Sequence, residues 1–353
     1  MCRMARERIV TGETVEPEEE GFNWSLRPQS LDEYIGQPNL VEKLRIAIAA
    51  AKMRGEPMEH VLLHGPPGLG KTTLAHVIAN EMGGRLHLTS GPALTRAGDL
   101  VGTLTRVEEG DVLFIDEAHR LPAAVEEYIY PAMEDYRIDV SVDSGMHSRT
   151  VTITLKPFTL IGATTRAGLL SGPLRSRFGI AHHLAYYSED ELLVIARRSA
   201  TLLGMTVGND EGLRTLARRS RGTPRIVNRL LRRVRDYAQV NNDGRVDESL
   251  VDEALALERI DAIGLDELDR KYLSVVATTY GGGPVGLEAI AATMGEDSGT
   301  LEDVVEPYLL QVGFLARTRR GRELTEAGAR HIGIALKRDR DESLFDDGAE
   351  DRA

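Results

Sequence analysis

The chain has 353 residues, 42% of them hydrophobic, which is enough to bury the cores of two or three ordinary domains. No apolar run approaches the roughly 18–20 residues that span a bilayer, and Met1–Val10 carries Arg3, Arg6 and Arg8 without the apolar segment of a secretory signal, so a cytoplasmic location is expected. A single cysteine, Cys2, excludes an intrachain disulfide and a cysteine-built metal centre, and a net charge of −12 argues weakly against a general nucleic-acid coat.

The ends are acidic, with Glu16, Glu18, Glu19 and Glu20 near the start and a run from Asp341 to Asp351 at the finish. These stretches have few aromatics and no periodicity, so residues 1–25 and 339–353 are expected as disordered tails. Between them, short apolar runs alternate with helical patterns up to about residue 182. His60–His64, Arg85–Thr89, Val112–Ile115 and Phe158–Ala163 read as buried parallel strands, with helices fitting Leu40–Ala51, Lys71–Met82 and Val125–Met133. This series predicts an α/β domain with a parallel sheet over residues 26–186.

From Ser188 the strands disappear. Ser188 with Glu191 reads as a capping box opening a helix through Leu203, and further helices fit Glu211–Arg219, Pro224–Ala238 and Glu248–Leu257. Residues 187–260 are thus expected as a small helical domain. Beyond it, helices fit Asp266–Tyr280, Leu287–Met294 and Thr300–Val312, and Phe314–Leu324 reads as two short strands around Arg320-Gly321. Three helices and a hairpin over 261–338 are the plan of a winged-helix DNA-binding domain, and its Arg317–Arg340 stretch is locally basic.

Gly65-Pro-Pro-Gly-Leu-Gly-Lys71-Thr72 fits the phosphate-loop pattern at every fixed position, with a strand before it and a helix after it. Glycines there let backbone N–H groups cradle phosphate oxygens at a helix N-terminus. Gly65, Gly68, Leu69, Gly70, Lys71, Thr72 and Thr73 are therefore expected to hold nucleotide phosphates, and the Thr72 hydroxyl to meet Mg2+. Val112-Leu-Phe-Ile-Asp116-Glu117 is an apolar strand ending in two acids. Asp116 sits where a Mg2+ partner belongs and Glu117 where the attacking water is oriented. Two such acids alone would read as solvated strand-end residues; the phosphate loop about 45 residues upstream reverses that reading. Phe158–Ala163 ends in Thr164-Thr165-Arg166 at the ligand-binding edge of the sheet. Arg175 and Arg177 precede the helical domain, where arginines serve transferring phosphoryl charge or lie as surface charges. His119, His147, His182 and His183 lack metal-ligand spacing and read as structural or solvated.

The phosphate loop, Asp116-Glu117-Ala-His-Arg, Gly162-Ala-Thr-Thr-Arg166, Leu174-Arg-Ser-Arg-Phe-Gly179, Gly222-Thr-Pro-Arg225 and Leu26-Arg-Pro-Gln-Ser-Leu-Asp-Glu-Tyr-Ile-Gly-Gln37 together resemble the RuvB family of Holliday-junction branch-migration ATPases. The similarity runs in the same order from about Leu26 to Gly333. Ala118 departs from it, standing where a larger aliphatic is expected, and neither tail corresponds to a family feature. The resemblance implies an AAA+ ATPase core, a helical lid and a C-terminal winged helix. It places Leu26, Arg27, Ile35 and Tyr187 near the adenine, makes Thr165 the first sensor and Arg225 the second, and makes Arg177 an arginine finger offered to a neighbouring subunit. Arg317 and Arg322 would face DNA.

The implied partners are a homohexameric ring, four-way and double-stranded DNA, RuvA and the resolvase RuvC; ATP and Mg2+ are the implied ligands. The alternating stretch 137–155, turning at Ser144-Gly145, reads as an inserted β-hairpin, which the resemblance makes the arm that grips RuvA. Two other readings share the nucleotide chemistry: a clamp loader or protein remodeller, and a promoter-binding regulator that uses ATP as a switch. A basic winged helix speaks against the first; Glu117 with Arg177 speaks against the second.

Overall fold

The computed structural model describes residues 25–141 and 150–335. The expected tails and the Ser144-Gly145 turn lie outside the described residues (Ser25 apart), as do Lys337, Arg338 and Arg340. The chain forms two compact units that meet between Glu258 and Arg259.

The first unit opens with α1 (Pro38–Arg54), β1 (Val61–His64), α2 (Lys71–Met82), β2 (Leu86–Ser90), α3 (Ala97–Leu104), β3 (Val112–Asp116) and α4 (Ala123–Glu134). A hairpin, β4 (Arg137–Ser141) and β5 (Thr150–Thr154), precedes β6 (Thr159–Thr164), α5 (Gly172–Ser176) and β7 (Ile180–His183). Five strands form one parallel sheet in the order β2-β3-β6-β1-β7. The central strands are runs of apolar residues because both faces are covered: Val61, Leu62 and Leu63 of β1 and every residue of β6 are buried. Leu113, Ile115 and Leu160 of the sheet pack with Leu100, Leu104, Val125 and Ile129 in one core cluster. The expected strands are present, but β7 and α3 were not foreseen. β7 is an edge strand of alternating burial, and α3 holds two glycines that lower its helical signal.

The helical part of this unit comprises α6 (Glu189–Leu202), β8 (Thr206–Val207), α7 (Asp210–Arg219), α8 (Pro224–Asn241), β9 (Arg245–Val246) and α9 (Glu248–Leu257). Ser188 caps α6 as its sequence implies: its hydroxyl accepts the Glu191 N–H, and the Glu191 carboxylate accepts the Ser188 N–H at 2.8 Å. Pro224 occupies the first turn of α8, where its missing N–H has no bond to lose.

The second unit contains α10 (Glu267–Thr278), α11 (Leu287–Met294), a helix running through α12 (Ser298–Thr300) and α13 (Glu306–Gln311), then β10 (Leu315–Thr318), β11 (Gly321–Leu324) and α14 (Glu326–His331). Between α12 and α13 the helix widens into a π-turn at Leu301–Val305. Pro307, just beyond, has no N–H to return to the carbonyl four residues earlier, which favours that local widening. Tyr272, Leu273, Ile290, Leu301, Leu309, Leu315 and Leu324 form its core. Strands β10 and β11 pair antiparallel, with Arg317 opposite Arg322.

Candidate active site

The turn after β1 depends on glycine. Gly65, Gly68 and Gly70 take φ of 138°, 80° and 99°, and a Cβ on Gly65 would lie 2.7 Å from the Leu184 carbonyl oxygen. Backbone of this kind turns successive N–H groups into one concavity, and α2 begins at once with Lys71. The buried Lys71 Nζ donates to Gly65 O at 2.8 Å and Pro66 O at 2.9 Å, carbonyls of its own loop. Burial pushes this ammonium down to about 8 against the pull of Asp116 and Glu117, and Arg225 pushes it further in the same direction. The four charged groups therefore share one field. A desolvated cation at a helix N-terminus suits an anion.

The acids come from the end of β3. Asp116 Oδ1 accepts the Glu117 N–H at 2.9 Å, which fixes the Asp116 carboxylate beside the loop. Glu117 stands in the left-handed region, φ 46° and ψ 47°, a conformation that non-glycine residues adopt mainly where the surroundings impose it. Thr165, just past β6, donates its hydroxyl to Glu117 Oε2 at 3.3 Å. His119 Nδ1 lies 3.2 Å from the same oxygen and 2.8 Å from Thr164 Oγ1. His119, expected as structural or solvated, is nearly buried between the Glu117 carboxylate and the end of β6. From the lid side, the Arg225 N–H meets Gly68 O at 3.4 Å.

Beside the loop is a cleft with a cavity volume of about 80 Å3, lined by Leu26, Arg27, Ile35, Gly70, Thr73 and Tyr187 among others. All six were expected at the nucleotide. Tyr187 OH donates to Leu69 O at 3.2 Å, so the Tyr34 hydroxyl, 3.0 Å away, donates to Tyr187. Burial pushes the Tyr187 phenol up to about 12. A Cβ on Gly36 would lie 2.4 Å from the Tyr187 ring, so only glycine, here at φ 84°, lets the entry segment pass over it. Tyr34, Ile195, Arg198 and Asn228, which no local pattern marks as site residues, also line the wall. Arg198 reaches across 172 positions to Leu26 O at 2.6 Å and ion-pairs with Glu33 at 2.9 Å, joining α6 to the entry segment.

Two groups of expected residues lie elsewhere. Arg177 is bound to Glu134 at 3.0 Å and to Pro173 O at 2.8 Å, and its guanidinium lies 4.3 Å from the Tyr130 ring centre. None of these partners belongs to the phosphate loop. In the winged helix, Arg317 and Arg322 both bind Glu306, a carboxylate with no exposure. Arg322 Nε donates at 2.9 Å, Arg317 Nε at 2.8 Å, and Tyr272 OH donates to the same carboxylate at 2.7 Å. Among the described residues no cluster of three or more His, Cys, Asp or Glu could hold a metal, and no helix is long and apolar enough to cross a membrane.

A phosphate loop between a strand-end acid pair and a lid arginine, on a parallel sheet whose fifth strand flanks the loop strand, is the arrangement of an AAA+ P-loop ATPase. Three family models cover nearly all of the described chain: Holliday junction DNA helicase RuvB P-loop domain at 26–184, RuvB AAA lid domain at 187–261, and RuvB C-terminal winged helix domain at 262–333. The chain belongs to the RuvB family of ATPases, and so it is a nucleotide-binding ATP hydrolase. It is 58% identical over 311 residues (88% of this chain, 90% of the other) to Holliday junction branch migration complex subunit RuvB of Desulfosudis oleivorans. Its counterpart in Pediococcus pentosaceus is 54% identical, over 94% of this chain and 98% of its own. A solved structure, the Thermotoga maritima RuvB Holliday junction branch migration motor, matches with a TM-score of 0.80 at 52% identity, over 88% of this chain and 99% of its own.

Proposed function

We propose that this chain hydrolyses ATP to drive branch migration of four-way DNA junctions together with RuvA, in homologous recombination and DNA repair. The observation that carries the reading is the union, in one chain, of the site at Lys71, Glu117, Thr165 and Arg225 with a winged helix, all matching RuvB models from 26 to 333. Lys71 leaves its loop carbonyls for the β/γ-phosphates, Glu117 orients and deprotonates water, Thr165 holds that acid, and Arg225 approaches the γ-phosphate from the lid. Leu26, Arg27, Ile35 and Tyr187 enclose the base. Thr72 and Asp116 offer the hard oxygen donors that suit Mg2+, which when bound neutralises charge on the transferring phosphoryl group.

Arg177 serves the site of the next subunit in a homohexameric ring; its attachment to Glu134 and Tyr130, away from its own phosphate loop, supports a role in trans. The β4–β5 hairpin, with Val151 47% exposed, is the arm for RuvA. Arg317 and Arg322 meet DNA phosphates on a wing where Arg317, Arg319 and Arg320 are exposed. RuvC is a further partner of the assembly, which works in the cytoplasm.

The test is ATP turnover with linear duplex and with a synthetic four-way junction, each with and without RuvA. Turnover is expected to be highest with junction and RuvA together; a rate indifferent to both would overturn the reading. In the same assay Lys71→Ala should abolish nucleotide binding, whereas Glu117→Gln should bind nucleotide normally and lose hydrolysis. Wild-type turnover by Glu117→Gln would remove the water-orienting role.

A further inference from the structure

We propose that His119 is a positioning residue for hydrolysis: its Nδ1–H holds the Glu117 carboxylate against the end of β6, tying the water-orienting acid to the strand that carries Thr164 and Thr165. The proposal rests on the reading of Glu117 given above. Glu117 and His119 are separated only by Ala118, at the start of a single 3-10 turn, Ala118–Arg120. The left-handed backbone at Glu117 swings the chain so that both side chains return to the same strand end.

The tautomer follows from the partners. An ionised carboxylate only accepts, so the ring nitrogen 3.2 Å from Glu117 Oε2 carries the proton. That nitrogen is hydrogen-bonded to Thr164 Oγ1 at 2.8 Å, and the Glu117 carboxylate makes a second, electrostatic contact with it. Thr164 is completely buried, and its Oγ1 also accepts the Arg166 N–H at 3.0 Å, so this hydroxyl is a fixed point of the strand end. His119 is itself only 10% exposed, which keeps water from competing for the shared donor. Glu117 Oε2 thus accepts the Thr165 hydroxyl and lies 3.2 Å from the His119 ring nitrogen, while no donor lies at Oε1 among the described residues. One oxygen is tied to the strand and the other is left for water. Any shift of the β6 end on contact with a γ-phosphate is passed to the carboxylate through His119.

The experiment measures kcat, KM and nucleotide affinity for the full chain with four-way-junction DNA. Removing the donor in His119→Ala is expected to lower kcat about ten-fold or more, since misplacing a reacting group by about an ångström is that costly, with nucleotide affinity unchanged. An asparagine amide reproduces the Nδ1 donor and a glutamine amide the Nε2 donor, so His119→Asn should recover most of the rate and His119→Gln should not. Wild-type kcat in His119→Ala, or equal rates for the asparagine and glutamine variants, would overturn the proposal. Glu117→Gln run alongside separates the two readings: if it still hydrolyses ATP, the role of Glu117 fails; if it is inert while His119→Ala is normal, only the role of His119 fails.

Discussion

Lys71 is buried, and in the proposed site it has to be charged to bind phosphate. Without nucleotide its ammonium releases its proton as pH rises through about 8, rather than near 10.5. Below pH 8 the folded chain therefore bears the full cost of burying a charged lysine; that cost fades as pH rises toward 10.5, where the unfolded chain also loses the proton. Phosphate oxygens favour the charged form, so nucleotide binding at pH 9 should take up about one proton, and affinity should fall with pH by at most about ten-fold per unit. Calorimetry at pH 9 in buffers of different ionisation enthalpy reads the uptake directly; a binding heat independent of buffer would contradict it.

Arg177 offers a second residue-scale test. Its guanidinium is 21% exposed, and its buried Nε has no hydrogen-bond partner among the described residues, so the present pose leaves a donor unused. In the proposed ring the side chain extends to a neighbour's γ-phosphate, and Arg177→Ala should lose on the order of a thousand-fold in turnover. Mixing it with Lys71→Ala should restore part of the activity, because some sites then join an intact loop to an intact finger. Demonstrably mixed rings without rescue would place Arg177 outside its neighbour's site.

At the scale of elements, the wing is held by charge as much as by its core. Glu306 is wholly buried and is compensated by Arg317, Arg322 and the Tyr272 hydroxyl. Replacing both arginines with alanine strands that carboxylate. Breaking a buried ion pair costs about 3–5 kcal/mol, and the 41% exposure of Arg317 lowers the expectation to about 2–3 kcal/mol. Denaturant unfolding should show that loss in the second unit. If these arginines also meet phosphates, the slope of DNA affinity against salt should fall by about 0.9 per lost contact. An unchanged slope beside the stability loss would make the two arginines structural.

What could be read from the chain divides along the same line. The phosphate loop, the Ser188–Glu191 cap and Pro224 at a helix start are local devices, each written within a few residues, and each forms as written. The cleft beside the phosphate loop is assembled from four distant segments, so Leu26 and Tyr187 are placed at it only through resemblance, while Arg198 and Asn228 carry no signal at all. His119 has no metal spacing to announce it; its place beside Glu117 arises from a left-handed turn at Glu117 that no local pattern encodes. Glu306 was equally silent, an acid in a helix pattern whose burial depends on two arginines brought in by the hairpin.

For the whole molecule, three RuvB modules follow one another in a single chain, and family membership rests on all of them. A motor is distinguished from an ATPase by work on its track, so the decisive measurement is of DNA and not of phosphate. A labelled synthetic four-way junction with heterologous arms is incubated with the chain, RuvA, Mg2+ and ATP, and its conversion to duplex products is followed. Wild-type chain is expected to convert the junction only when both RuvA and hydrolysable ATP are present, with Glu117→Gln inactive. Full ATP turnover on the junction without any conversion would contradict the assignment of branch migration.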